Sequence, residues 1–591
     1  MVSVGAWLWY RFGGQKVAAP LAAAVEHASA SSLPTVRERE ELPDDGIVLG
    51  RVLEGDRVGK RLVVTQGTTG IVVGPTGAGK TQKVLLPAVL RHRGPLLTTS
   101  TKDELAAEAF YVASGKGTVS VLDPAQVVSN ENLLERSVVW TPLQDCETFG
   151  QAGRTVAQIA MLKDGDVWGN QATALLATVL WILRRYRGTT LSDIERLLQA
   201  LRTQKSTDEV AVPPIGKSFT QLVQHITKSP ECGWAAASGA IGQLAKNGEI
   251  DAVDAGLAMD VLSNMEGIAS AEETIAGVIF SLNAIKNTSL IYCRDAWVAP
   301  WDADYNIDLG QWAESEADSV FIVSPDSAKN FEGYFCAFIA AAMNALDAAA
   351  WANEKRALPN RALLVLDELA NICPLPDLPA WLSTKRSQNI AFLLGVQGMS
   401  QLASRYTDDG ANTIVNNGNM FNLALAGSQD NKTVDHFSKF AGERQETTKT
   451  VSTSKTTGTS RSIGFGKDSN DSKSESTSKN ENVSVAYRGL ATPYGLFQMP
   501  WNQGVALLPS HKFVRLRCLP AYEDEQLKAM KQQAVVSFEE KEARKSEVDM
   551  FKKGRQRLVD EAENVSAVEE FFPTAYGDHS RQRARNWERS E

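Results

Sequence analysis

The run Gly74-Pro75-Thr76-Gly77-Ala78-Gly79-Lys80-Thr81 constrains this chain more than any other stretch of it. It follows the apolar triplet Ile71-Val72-Val73 and precedes a segment with helical spacing, so it reads as a strand, a glycine-rich loop and a helix N-terminus in succession. Glycines let backbone N–H groups turn inward around phosphate oxygens, and the helix terminus adds partial positive charge. In that setting Gly74, Pro75, Thr76, Gly77, Ala78 and Gly79 form a phosphate cradle. Lys80 reaches the β- and γ-phosphates, and the Thr81 hydroxyl sits on Mg²⁺. The ligands expected from the motif are ATP and Mg²⁺.

A second element decides whether such a cradle only binds or also turns over. Leu363-Leu364-Val365-Leu366 is an apolar strand that ends in Asp367-Glu368. The first acid is placed to join the Mg²⁺ shell and the second to polarise the attacking water. Lys80 and Glu368 are therefore the expected catalytic pair, and Thr81 and Asp367 the metal ligands. Gln397 ends the strand-like run Ile390 to Val396. It reads either as a sensor of the γ-phosphate at the carboxyl edge of the sheet or as an ordinary loop glutamine.

Short, almost continuously apolar runs recur at Gly70 to Val73, Leu96 to Thr99, Val119 to Leu122, Ser319 to Val323, Leu363 to Leu366, Ile390 to Gly395 and Met420 to Ala426. Runs of this kind are buried on both faces, which predicts an α/β fold with a central, mostly parallel sheet covered by helices. Val505 to Leu508 and Phe513 to Cys518 give two further strands. Between Trp168 and about Ile285 the texture becomes Ala- and Leu-rich with helical spacing, as in ATALLATVLWILRRY, and predicts an all-helical insertion. From Glu446 to Asn482 Ser, Thr, Lys and Asn dominate, which predicts a disordered loop. The resulting division is 1–46 as an N-terminal segment, 47–165 as the first part of the nucleotide-binding domain, and 166–285 as the inserted helical domain. Residues 286–522 form its second part with the loop at 446–482, and 523–591 a charged, mobile tail that is helical at best.

With 43% hydrophobic and 22% charged residues among 591, most of the chain is ordinary globular protein. A net charge of -9 argues against a generally basic surface that coats nucleic acid, while leaving room for one local basic channel. The six cysteines form no CxxC pair, which suits reduced thiols rather than a zinc site or a disulfide framework. The apolar N-terminal patch VSVGAWLWY is about ten residues, short of the roughly 20 that span a bilayer. It reads as a segment packing on its own domain or as a membrane-proximal stub. Arg91-His92-Arg93 and Arg184-Arg185-Arg187 read as solvated helix faces rather than DNA contacts.

Together these residues resemble the coupling proteins of type IV secretion, the TraG/TraD type. The glycine-rich loop is followed by Ser100-Thr101-Lys102-Asp103-Glu104-Leu105, similar to that family's Lys-x-Glu-Leu stretch. Leu122-Asp123-Pro124 and Val139-Trp140-Thr141-Pro142-Leu143 are similar to its strand-end segments, with Thr141 where Asn is usual. Leu366-Asp367-Glu368-Leu369-Ala370-Asn371-Ile372 carries the likeness furthest, and it continues through Lys385-Arg386, Val396-Gln397, Gln401-Leu402 and Tyr406. The resemblance covers about Ile47 to Tyr522. The family usually has two N-terminal transmembrane helices, where this sequence shows only the short apolar patch, and the Ser/Thr-rich segment looks like an insertion.

The resemblance implies a RecA-like P-loop NTPase working as a homohexameric ring, with Arg386 as the candidate arginine supplied to the neighbouring subunit or, equally, a surface charge. It implies relaxase-bound single-stranded DNA and components of the secretion channel as partners. The expected location is cytoplasmic and peripheral to the inner membrane, with attachment through a partner or through lost N-terminal helices. Two other functions fit the same motifs: a nucleotide-dependent recruiter of protein substrates, and an FtsK-like pump of duplex DNA. The second is disfavoured by the lack of a recognisable winged-helix reader after Tyr522.

Overall fold

The computed structural model describes residues 35–36, 46–54, 57–161, 166–203, 218–269, 272–324, 328–441, 443–461, 471–489, 493–509 and 512–543. The strands in chain order are β1 (Thr35–Val36), β2 (Ile47–Val52), β3 (Arg61–Val64), β4 (Thr69–Val73), β5 (Leu96–Ser100), β6 (Val119–Leu122), β7 (Ser137–Val138), β8 (Ser319–Val323), β9 (Ala362–Leu366), β10 (Ile390–Val396) and β11 (Phe421–Leu425). They continue as β12 (Glu443–Arg461), β13 (Asp471–Gly489), β14 (Gln503–Leu508) and β15 (Lys512–Arg517).

Thirteen of these strands form one sheet in the order β1-β3-β2-β15-β14-β11-β4-β10-β9-β5-β8-β6-β7. From β11 to β7 every pairing is parallel, and from β11 outward to β1 every pairing is antiparallel. The parallel wing is apolar on both faces: every residue of β4, β8, β9 and β10 is buried. Two hydrophobic clusters cover its two faces, one containing Leu364, Leu366 and Leu394, the other Val365 and Leu393. The alternation of successive side chains between clusters is the period-2 signature of a strand. Each strand run expected from the sequence is present, and the sheet is the α/β core they implied.

The sequence did not signal the hairpin of β2 and β3. Its apolar run is broken by Gly50 and Arg51, where the pairing of the two strands shifts register. Gly50 has φ +147, and a Cβ there would lie 2.6 Å from the Arg517 carbonyl oxygen. Glycine is what lets β2 pass this close to β15.

Between β7 and β8 the named elements among the described residues are all helices, the first beginning at Pro142 and the last ending at Glu314, beyond both limits of the 166–285 expectation. The helix Phe149–Ala160 packs on Val167–Arg184, whose Leu175, Leu176, Val179, Leu180 and Leu183 are buried. Of the expected solvated arginines Arg187 is exposed, but Arg184 and Arg185 are half-buried and engaged. The Arg184 guanidinium lies 3.4 Å from the centroid of the Trp301 ring, and Arg185 stacks on Trp181 while donating to the Glu147 carbonyl. His92 is likewise buried, and Arg91 ion-pairs with Asp524 at 3.6 Å. The sequence shows the charge of such groups and hides the aromatic rings and carboxylates that receive it.

The helix within Lys329–Ala352 is long and apolar enough to cross a membrane, but it is a core helix here. Tyr334, Phe335, Phe338, Ile339, Ala342 and Leu346 are all buried against the sheet and the inserted helices. Most of the N-terminal segment lies outside the described residues.

Two expectations about order need correction. Where a disordered loop was expected over 446–482, β12 and β13 pair antiparallel over 19 residues each, and residues 462–470 between them lie outside the described residues. Apolar content was the wrong criterion, because a two-stranded ribbon satisfies backbone groups across the pair without a core, and Thr favours extended backbone. The tail is also ordered as far as residue 543, in a helix over 525–543. Leu527, Met530, Ala534 and Phe538 form an apolar stripe at spacings of three and four, and Phe538 packs edge-on against Phe110 and Tyr111. Charges on the other faces mask that stripe in the sequence. Residues 544–591 lie outside the described residues.

Candidate nucleotide site

The loop Gly74 to Gly79 leaves β4 at the carboxyl edge of the parallel wing, where open α/β sheets bind their ligands. Gly77 and Gly79 have φ of 81° and 85°, the left-handed region that a residue with a Cβ adopts only under strain. Lys80 follows at the start of a π-helical turn, Thr81–Leu85, which runs on into the helix Leu86–Arg91. Its side chain is buried, with Nζ donating to the Gly74 carbonyl at 3.1 Å and to Glu368 Oε1 at 3.1 Å.

Register brings the second element to the first. Because β10 lies between β4 and β9, Val396 sits beside Val73 and Leu394 beside Leu366. The residues that follow these strands, Gly74, Gln397 and Asp367, are thereby gathered at one point. Thr81 Oγ1 donates to Asp367 Oδ2 at 2.7 Å, so the two expected metal ligands are already in contact. Asp367 is 5% exposed, and burial raises its carboxyl above the ordinary aspartate range, opposed in part by the Thr81 hydroxyl and the Lys80 charge.

Glu368 has φ 51°, an uncommon backbone conformation for a residue with a side chain. It turns the chain out of β9 so that its carboxylate faces Lys80 while Asp367 faces Thr81. Gln397 Nε2 donates to Glu368 Oε2 at 2.9 Å, and Asn371 Nδ2 donates to the same oxygen at 3.1 Å. Gln397 is thus tied to Glu368 rather than lying in an unrelated loop. The structure does not bring Arg386 into this cluster. Arg386 is exposed, in the turn Lys385–Gln388 ahead of β10, at the end of that strand farthest from the phosphate loop.

The donor set fits a nucleoside triphosphate with Mg²⁺: inward-turned loop amides and Lys80 for the phosphates, one hydroxyl and one carboxylate for the cation. Mg²⁺ is ordinarily held by one or two protein oxygens, substrate phosphates and water. Among the described residues no group of three or more His, Cys, Asp or Glu side chains could hold a metal by itself.

Several supports of the site were not foreseen. Gly395 is one: a Cβ there would lie 2.5 Å from Asp367 Oδ1, so glycine leaves the room that the expected metal-binding acid occupies. Buried Thr99 donates through Oγ1 to the Asp367 carbonyl at 3.0 Å. Behind the loop, Lys83 Nζ donates to the Ala78 carbonyl at 2.7 Å and the Trp501 carbonyl at 2.6 Å, and lies 3.7 Å from the Trp501 ring centroid. Trp501 in turn donates to the Gly77 carbonyl at 3.3 Å. Burial lowers the Lys83 ammonium from the ordinary lysine value. A small residue ending an apolar strand was a signal for Gly395; nothing in the sequence joined Trp501 to a loop more than 400 positions earlier.

A sequence model described as type IV secretory system conjugative DNA transfer matches residues 34–545. The chain belongs to this family. The match spans the sheet, the helical insertion, the ribbon and the ordered part of the tail, and extends past Tyr522, where the sequence resemblance stopped. No curated protein matches the sequence. Among solved structures, the unbound bacterial conjugative coupling protein TrwBdeltaN70 aligns at 14% identity with a TM-score of 0.45, covering 76% of this chain and 85% of that one. The plasmid coupling protein TrwB in complex with ADP and Mg²⁺ aligns at 14% identity with a TM-score of 0.44, covering 77% and 85%. VirB4 of Thermoanaerobacter pseudethanolicus aligns at 15% identity with a TM-score of 0.33, covering 67% and 88%. At these scores membership of the conjugative transfer family rests on the sequence match.

Proposed function

We propose that this chain is the coupling ATPase of a conjugative type IV secretion system. It hydrolyses ATP with Mg²⁺ and uses the cycle to recruit relaxase-bound single-stranded DNA and drive it into the secretion channel. The observation that supports this best is the convergence of Lys80, Thr81, Asp367, Glu368 and Gln397 at the carboxyl edge of the sheet in a member of a DNA transfer family.

In the hydrolytic step Lys80 leaves Glu368 for the β- and γ-phosphates, and Thr81 and Asp367 hold the cation. Glu368 then accepts a hydrogen bond from the attacking water, and Gln397, bonded to Glu368, sits where loss of the γ-phosphate is felt. The described side chains that bond to one another here, Lys80, Thr81, Asp367, Glu368 and Gln397, include no arginine, and RecA-like subunits commonly complete their sites from a neighbour. The chain therefore works as a homohexameric ring with Arg386 as the candidate donor, in the cytoplasm, peripheral to the inner membrane and held there by a partner or by N-terminal helices. A strand passing through such a ring needs only a few Lys or Arg per subunit, so the net charge of -9 is no obstacle.

The test is ATP hydrolysis with and without single-stranded DNA, for wild type and Lys80→Ala, with assembly followed by light scattering. The proposal expects stimulation by the single strand, a mass near six subunits, and turnover at background in the variant. Hydrolysis indifferent to any DNA would move the reading to a recruiter of protein substrates, and stimulation by duplex alone to an FtsK-like pump.

A further inference from the structure

The Glu368 carboxylate is held from two sides by different kinds of group. Oε1 faces the Lys80 ammonium at 3.1 Å, a contact that ends when Lys80 turns to phosphate. Oε2 accepts from two side-chain amides, Asn371 Nδ2 at 3.1 Å and Gln397 Nε2 at 2.9 Å. Behind these amides stands Gln401, on the helix Met399–Asn416. Its Nε2 donates to Asn371 Oδ1 at 2.9 Å, and its Oε1 accepts from the Gln397 backbone N–H at 3.1 Å. Glu368, Asn371, Gln401 and Gln397 therefore close a ring of hydrogen bonds.

The direction of the ring is fixed at one point by the backbone. The Gln397 N–H can only donate, so Gln401 must present its oxygen to it and its NH₂ to Asn371. Asn371 must then present Oδ1 to Gln401 and its own NH₂ to Glu368, where a carboxylate can only accept. Neither Asn371 nor Gln401 can flip without losing two bonds, and Gln397 cannot flip without losing its bond to Glu368. Beside the phosphate loop, the ring joins three further polypeptide pieces at the site: the exit of β9, the exit of β10, and the helix that follows β10.

We infer that Asn371 and Gln401 are positioning residues that aim the Glu368 carboxylate, committing Oε2 to the protein and leaving Oε1 as the oxygen that receives the water's proton. Neither touches the phosphate loop. This inference rests on the reading of Glu368 as the water-polarising base. A displacement of about 1 Å of a reacting group costs on the order of 100-fold in rate, so opening the ring acts on turnover and spares nucleotide binding.

The experiment uses the full chain with Mg²⁺ and single-stranded DNA, and compares Glu368→Gln, Asn371→Leu, Gln401→Met, Gln401→Glu and the Asn371→Leu/Gln401→Met double variant. Asn371→Leu and Gln401→Met are each expected to lower kcat about 100-fold, with KM and the Kd of a fluorescent ATP analogue unchanged. The double variant is expected to be no slower than either single, because one break already frees the carboxylate. Gln401→Glu keeps the acceptor for the Gln397 N–H and loses the donor to Asn371; the ring is opened at that one point, so it is expected to be as slow as Gln401→Met. Wild-type kcat in Asn371→Leu and Gln401→Met, with Glu368→Gln inactive, overturns the positioning role alone. Losses that track a drop in melting temperature and in analogue binding overturn it as well, in favour of a merely structural role. Full turnover in Glu368→Gln overturns the base assignment and the inference with it.

Discussion

Strands β9 and β10 and strands β12 and β13 are both β-structure, and they are held by different forces. Every side chain of the first pair is buried between helical layers. The described side chains of the second pair, 453–459 and 473–479, are exposed on both faces. In the buried pair a slip of one residue would drive each apolar side chain into the wrong cluster, so burial fixes the register strongly. In the ribbon the register rests on backbone pairing and on contacts such as Ser454 with Ser478 at 2.8 Å and Lys455 with Glu475 at 4.0 Å. At roughly 3.4 Å per residue, 19 paired residues extend about 65 Å. A sheet of the first kind can hold two carboxylates in fixed relation to a lysine; a ribbon of the second kind can change its surface at little cost to the fold.

The sharpest way to break this contrast is to place one charge in the buried wing. Val365 is fully buried in the middle of β9, and Val365→Asp leaves a carboxylate with no partner there. Such burial costs several kcal/mol at least, and the variant is expected to lack a cooperative thermal transition by circular dichroism. Less drastic is Leu394→Ala in β10, which removes buried methyl groups and is expected to lower unfolding stability by about 2 to 5 kcal/mol in urea titrations.

The site also differs from the apolar core that carries it, because it buries a carboxyl. Burial raises the Asp367 carboxyl, so the folded state favours the protonated form. A raised carboxyl contributes stability that is complete below the ordinary aspartate range and is lost as pH rises through the folded value. Asp367→Asn cannot ionise. Without nucleotide or Mg²⁺ it is expected to melt above wild type at neutral pH, with the gap closing as pH falls into and below the ordinary aspartate range. Melting curves across that range in chelator provide the check, and a gap independent of pH would contradict it. The smallest effect belongs to the ribbon: Thr456→Ala is expected to change stability by no more than about 0.5 kcal/mol in the same urea titrations that register Leu394→Ala.

The parts of the molecule legible in the sequence are those governed by burial on two faces or by backbone geometry around phosphate. Runs such as Leu363 to Leu366 and Ile390 to Gly395 can hardly be anything but central strands. The Gly74 to Thr81 loop needs its glycines wherever it occurs. The ribbon was illegible because composition measures the drive to form a core, and the described side chains of β12 and β13 are exposed. The helix over 525–543 was illegible because Leu527, Met530, Ala534 and Phe538 are diluted by charge. The contacts of Arg91 with Asp524 and of Arg184 with Trp301 join distant positions, and no local pattern announces them. At the site, the sequence marked Asp367, Glu368 and Gln397 by their places at strand ends. The closure of the hydrogen-bond ring through Asn371 and Gln401 required the register of β9, β10 and the following helix.

Single-turnover hydrolysis of pre-bound ATP is the direct measure of whether Glu368 drives turnover at this site. In Glu368→Gln, Lys80, Thr81 and Asp367 remain to hold the nucleotide, so ATP is expected to bind as in wild type and to persist, with conversion to ADP slowed by about 100-fold or more. Conversion at the wild-type rate would contradict the account.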